Sequence, residues 1–307
     1  MKAPSPPTPL LQGERGEVVP LPLAEAPAVT PAHLDELWFQ VTGTLCNLAC
    51  RHCFNSSGPR NPWLGSLDVA TVVRYIGEAA ARGVREFYFT GGEPFLHLDL
   101  VRMVEAALAV APVTVLTNGT LIDDALADRL ARIAGAARYS LEIRVSLDAP
   151  TAKENDAVRG RGSFAAALRA VRLLADRGLF PIVTATEILD PSPAGPLYER
   201  LRARLIESGV QRPRIKILPV LPIGRCAQGA DERRLTRKDL EGFDDARLQC
   251  TETRVVAEGG IYACPILAGL PGARLSTDRL VDALSPTALY HTACYTCYET
   301  GLACKNF

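Results

Sequence analysis

From residue 37 to residue 220 the chain alternates β-like runs with amphipathic helical segments, and no other feature narrows its fold so far. "LWFQVTG" (37–43) is followed by the helical "DVATVVRYIGEAAARG" (68–83), with Asp68 placed to cap it and Gly83 to stop it. "VREFYFT" (84–90) leads to "LDLVRMVEAALAVA" (98–111), and "VTVLTNG" (113–119) leads to "IDDALADRLARIAG" (122–135). "LEIRVSLD" (141–148) leads to "FAAALRAVRLLADRG" (164–178), with Ser163 as its cap. "PIVTATEI" (181–188) leads to "PLYERLRARLIESG" (196–209), and "RIKILPV" (214–220) ends the series. Right-handed helical crossovers connect parallel strands, so this order predicts an α/β fold around a parallel sheet, either doubly wound or a partial barrel. In both, chemistry belongs at the C-terminal ends of the strands.

The flanks read differently. Residues 1–33 are rich in Pro, lack periodicity and read as a flexible arm. After about residue 222 the alternation lapses. "TRVVAEGGIYAC" (253–264) is a hairpin around Glu258-Gly259-Gly260, and an aperiodic tail carries Cys294, Cys297 and Cys304. A segment with so small a core needs a metal to order it. The chain thus divides into an arm (1–33), a core (34–225) and a small cysteine-rich domain containing the hairpin (226–307).

Charge and composition remove several function classes. The 34 Lys and Arg balance the 34 Asp and Glu, whereas a nucleic-acid surface would show a basic excess. No run approaches the 18 or more apolar residues of a membrane span. Prolines, with Glu14 and Arg15, interrupt the N-terminus where a signal peptide would be apolar, so the expectation is a cytoplasmic protein without nucleic-acid or membrane partners. In that reducing setting, clustered cysteines bind metal more often than they pair, and nine cannot all pair.

Three of the nine, Cys46, Cys50 and Cys53, fall in "GTLCNLACRHCFNSSG" (43–58), directly after the first strand. Three thiolates on one loop can wrap three corners of a cubane iron–sulfur cluster and leave the fourth iron open, as catalytic metal sites require. The alternative is a structural zinc site, for which His52 is the local fourth ligand, although its neighbour Cys53 would have to chelate the same ion.

The loop "CNLACRHC" resembles the CxxxCxxC signature of radical S-adenosylmethionine (radical SAM) enzymes. The resemblance implies a partial (β/α)6 TIM-type barrel and a [4Fe–4S] cluster held by Cys46, Cys50 and Cys53. Its open iron would be chelated by the amino and carboxylate groups of SAM. Reductive cleavage of SAM would release a 5′-deoxyadenosyl radical that takes a hydrogen atom from substrate, with a flavodoxin or ferredoxin as electron donor. "TGGEP" (90–94) resembles the family's GGE motif, which assigns Gly91, Gly92 and Glu93 to the SAM amino group, Glu93 also serving to fix the loop. Ser146 and Asp148 share one side of the fourth strand and are assigned to ribose hydroxyls. Arg159, in "RGRGSF" (159–164), faces either the SAM carboxylate or a neighbouring acid. Asn118 either faces the pocket or tolerates a left-handed turn. Arg225, in "LPIGR", resembles an arginine that points into the site. Glu187 and Lys216 lie near strand ends as conceivable bases.

The order Cys250, hairpin, Cys264, then Cys294-x2-Cys297 resembles the Twitch domain, the shorter relative of SPASM domains. The resemblance implies one auxiliary [4Fe–4S] cluster, with Cys304 as a surplus or alternative ligand and Cys226 as a spare thiol. Zinc in a C-x2-C knuckle is the alternative. A fully ligated cluster transfers electrons, which suggests an oxidoreductase. The arm is too short and Pro-rich for a domain that grips a leader peptide, which favours a small-molecule substrate over a peptide. A non-catalytic, metal-stabilised binding protein is the reading from another class.

Overall fold

The computed structural model describes residues 26–188, 195–227 and 233–301. Residues 1–25 of the Pro-rich arm, and Cys304, lie outside the described residues. The chain enters through a two-residue strand, β1 (Ala28–Val29). It then lays down β2 (Glu36–Gln40), β3 (Glu86–Thr90), β4 (Val113–Thr117), β5 (Leu141–Ser146), β6 (Ile182–Thr186) and β7 (Arg214–Leu218), all parallel to their neighbours. The crossovers carry α1 (Val69–Ala80), α2 (Leu100–Leu108), α3 (Asp124–Ala136), α4 (Ala152–Arg159), α5 (Ser163–Asp176) and α6 (Leu197–Glu207). The expected alternation is present, and Asp68 caps α1 by accepting from the Thr71 N–H.

The hairpin does not stand apart. Its strands β8 (Thr253–Ala257) and β9 (Gly260–Tyr262), followed by β10 (Arg274–Ser276), extend the same sheet in the order β10-β9-β8-β2-β3-β4-β5-β6-β7. β8 runs parallel to β2, with Glu36 opposite Thr253, while β9 and β10 are antiparallel. The sheet ends in β10 and β7 and does not close. A last strand, β11 (Thr287–Ala288), pairs with β1, and helix α7 (Thr292–Thr300) ends at Gly301.

Strand alternation separates two environments. Leu37, Phe39, Phe87, Phe89, Val113 and Val115 point toward the helices and form the main core. The opposite face is polar and aromatic. Trp38 stacks on Tyr88 with ring centroids 4.1 Å apart, and the buried Arg144 guanidinium lies 5.4 Å from the Tyr88 ring. On this face Trp38 and Tyr88 belong to a second core cluster, with Leu64, Val255 and Tyr262, that includes residues of the C-terminal segment.

Two local features depart from the sequence reading. Helix α4 is short and polar, and the apolar period misses it, although Thr151 and Glu154 have the spacing of a capping box and Thr151 accepts from the Glu154 N–H. Ser163 is the first residue of α5 rather than its cap. Gly162 precedes it with φ +83, and the Asp156 carboxylate of α4 caps the new helix by accepting from the Gly162 and Phe164 N–H groups.

Candidate functional site

The cysteine loop leaves the C-terminal end of β2 and is held from three sides. Leu45 bridges to Gly58, and the Glu93 N–H donates to the Leu45 carbonyl at 3.0 Å. Close approach explains the glycines after β3. A Cβ on Gly92 would lie 2.1 Å from the Leu45 carbonyl oxygen, and Gly91, at φ +152, would put one 2.2 Å from Thr42 Oγ1. Glu93 is fully buried. Its carboxylate accepts from Thr117 Oγ1 (2.7 Å), the Asn118 N–H (2.8 Å) and the Phe95 N–H (3.1 Å). Burial pushes its pKa up to about 7 against these hydrogen bonds. Glu93 therefore staples the ends of β3 and β4, which is the loop-fixing half of its expected role. Asn118 donates to Asn47 Oδ1 at 2.8 Å, and its Nδ2 lies 3.8 Å from the Cys46 sulfur, so it faces the loop.

On the second side stands Asp148. Its carboxylate accepts from His52 Nε2 (2.6 Å), Arg159 Nη2 (3.0 Å) and the Thr186 N–H (2.8 Å), with Arg159 Nε 2.6 Å away. Burial alone would raise its pKa, but the Arg159 charge and the His52 hydrogen bond outweigh burial and hold it well below the usual carboxylate range. Asp148, expected at a ribose, is thus buried and engaged by protein groups, while Ser146 is half-buried at the end of β5. Of the two alternatives for Arg159, the structure has the neighbouring acid. His52, the local zinc candidate, is committed to Asp148.

The third side is Arg225. Its guanidinium does not point into a pocket but donates to the carbonyls of Cys50 (2.9 Å), Ser56 (3.0 Å) and Ser57 (2.6 Å), while its N–H donates to the Cys53 carbonyl. Cys226 follows it, with its thiol 3.7 Å from the Arg51 carbonyl. Of the two conceivable bases, Glu187 is exposed at the end of β6 and Lys216 is half-buried in β7.

The thiols within this frame fit a cluster. The sulfur of Cys46 accepts from the Leu48 N–H (3.4 Å) and that of Cys53 from the Ser57 N–H (3.2 Å), the donors that thiolate ligands take. Burial pushes the Cys46 thiol up to about 12 and raises Cys50 too, although the Arg159 charge opposes the latter. These thiols are therefore protonated unless an electron-poor metal centre displaces the proton. Among the described residues, the one set of three His, Cys, Asp or Glu ligand atoms within 4.8 Å of one another is that of His33, Asp35 and Glu252. At least one pair of the loop sulfurs therefore lies more than 4.8 Å apart, wider than the roughly 3.8 Å of a tetrahedral zinc site with Zn–S near 2.3 Å.

A second cavity gathers Cys250, Cys264, Cys294 and Cys297. All four are buried, and none is in a disulfide among the described residues. Cys250 lies before β8, Cys264 after β9 and the other two on α7. Burial, then mutual repulsion of the thiolates, pushes Cys250 up to about 12. Sequence order suggested the four together. The polar side chains that share the cavity, Gln249 and Thr287, had no motif to announce them.

A profile of the Radical SAM superfamily matches residues 41–191, the span that holds the cysteine loop, Glu93 and Asp148. The chain belongs to the radical SAM superfamily. This radical SAM chain is 42% identical over 134 residues to the mycofactocin maturase MftC of Mycobacterium ulcerans, covering 43% of the chain and 34% of the relative. It is 31% identical over 137 residues to the antilisterial bacteriocin subtilosin biosynthesis protein AlbA of Bacillus subtilis, covering 44% and 29%. The match spans about a third of the length of these curated relatives. In fold it is similar to Streptococcus suis SuiB bound to the precursor peptide SuiA, with a TM-score of 0.63 at 15% identity, covering 83% of this chain and 65% of that one. SuiB has also been solved bound to S-adenosylmethionine. Among the described residues, no helix is long and apolar enough to cross a membrane.

Proposed function

We propose that this radical SAM chain is a peptide-modifying maturase, in place of the small-molecule enzyme first expected. The 42% identity to a maturase carries the reading. A bacteriocin-biosynthesis relative and a structural neighbour seen with a precursor peptide support the same class. β7 is an end strand of the sheet, and its residues 215–218 are half-buried.

Cys46, Cys50 and Cys53 would hold a [4Fe–4S] cluster and Cys250, Cys264, Cys294 and Cys297 an auxiliary one. Once bound, the first cluster and SAM supply the 5′-deoxyadenosyl radical that takes a hydrogen atom from the peptide. The chain's own residues prepare the site. Gly91 and Gly92 let backbone approach the loop, and Glu93 locks the ends of β3 and β4. Asp148, through His52, and Arg225 hold the loop's path, and the Arg159 cation lies near the Cys50 thiolate. Ser146 is the residue left for the ribose, and a ferredoxin or flavodoxin would deliver the electron.

The test is anaerobic reconstitution with iron and sulfide, then SAM, dithionite and synthetic peptides translated from short reading frames beside the gene. The wild type should carry about eight irons and the Cys46→Ala/Cys50→Ala/Cys53→Ala variant about four. Peptide-dependent 5′-deoxyadenosine with an altered peptide mass is the expected result. Turnover that needs a small metabolite and ignores peptides would return the small-molecule reading. Bound zinc without SAM cleavage would refute both.

A further inference from the structure

The cavity that gathers Cys250, Cys264, Cys294 and Cys297 is walled chiefly by apolar side chains such as Leu248, Ile266 and Leu289. Two polar side chains break this lining. Gln249 is 7% exposed and Thr287 is 2% exposed, and among the described residues neither amide atom of Gln249 nor the Thr287 hydroxyl has a hydrogen-bond partner. Buried polar groups are nearly always partnered, so unpartnered ones lining a cavity call for an explanation. Nearby, Arg254 is fully buried. Its Nε donates to the Ala283 carbonyl and its Nη1 to the carbonyls of Cys250 and Thr253, all at 2.6 Å. Among the described residues its Nη2 has no hydrogen-bond partner, and its charge is felt by the thiols of Cys250 and Cys264.

We propose that Gln249 and Thr287 donate hydrogen bonds to the sulfurs of the auxiliary cluster and, with the Arg254 charge behind them, raise its one-electron potential. The inference rests on the auxiliary-cluster reading and goes beyond it by assigning positioning residues and a direction of tuning. A cubane held by four thiolates is an anion, and reduction adds one more negative charge. An apolar cavity penalises that charge and makes the cluster hard to reduce. Donors aimed at sulfur and a buried cation favour the reduced form. They move the couple toward one that can accept an electron.

The experiment uses the full chain carrying Cys46→Ala, Cys50→Ala and Cys53→Ala, so that only the auxiliary cluster reports. Iron is counted, and the midpoint potential is read by electron paramagnetic resonance during a redox titration. Thr287→Val keeps the shape and deletes the donor, and Gln249→Leu deletes the amide. Each should retain about four irons and move the midpoint to more negative potential, the double variant further, with Thr287→Ser restoring it. An unchanged midpoint in loaded Thr287→Val and Gln249→Leu overturns the proposal. If Gln249→Leu fails to load, Thr287→Val alone decides. A triple-alanine parent that binds no iron overturns the auxiliary-cluster reading itself, a different failure seen before any potential is measured.

Discussion

Replacing Asp148 by Asn keeps its size and removes the charge that holds His52 and Arg159 beside the cysteine loop. Asp148 is fully buried and Arg159 nearly so. The four donor contacts lie between 2.6 and 3.0 Å. Whichever way an asparagine is turned, its NH2 group must face two of those donors, and Arg159 is left without its counter-charge. Breaking a buried pair from one side costs about 3–5 kcal/mol. Unfolding entropy near 2.1 cal/mol/K per residue, over the 307 residues of the chain, comes to about 0.65 kcal/mol/K. The expected fall in melting temperature is therefore about 5–8 °C. The assay is thermal unfolding of the metal-free protein by circular dichroism, with Asp148→Asn, Arg159→Met and the double variant. Because the single changes remove the same contact, the double variant should fall short of their sum by about 1 kcal/mol or more. A shift below about 1 °C for Asp148→Asn, or singles that add, would refute the account. Since the folded pKa is depressed, this stabilisation is present above the unfolded value near about 4 and is lost only as pH falls below it toward the folded one.

Two further outcomes follow from the same frame. Burial lifts Glu93 to about 7, so its contribution is fully present below the unfolded value of roughly 4.3 and is lost as pH rises through about 7, on the order of 3 kcal/mol in all. Glu93→Gln should flatten that slope between pH 4.5 and 7 in urea titrations, and an undiminished slope would assign it to another group. Gly92→Ala places a Cβ 2.1 Å from the Leu45 carbonyl oxygen and 2.8 Å from Cys46 Cβ, so it should displace the cysteine loop and lose about half the bound iron. Iron content equal to wild type after reconstitution would show that the loop yields without harm.

What the sequence alone determined is what short-range pattern can carry. The strand–helix alternation, the Asp68 cap, the hairpin and the spacing of Cys46, Cys50 and Cys53 are each set by residues a few positions apart, where backbone geometry leaves few alternatives. Helix α4 escaped because its eight residues bury too few apolar positions to show a period, although the Thr151–Glu154 spacing was there to read. The partners of the site residues were decided elsewhere. His52 meets Asp148 across 96 positions and Arg225 meets the Cys50 carbonyl across 175. No local preference specifies such contacts. Asp148 could as well have faced a ribose, and Arg225 a substrate, until the parallel sheet brought the ends of β2, β5 and β7 to one rim. The hairpin likewise became part of the main sheet only when β8 docked beside β2, and with α7 it brings Cys250, Cys264, Cys294 and Cys297 around one cavity. Which buried polar group finds which partner depends on the desolvated, closely packed interior, and that interior exists only once the chain has folded.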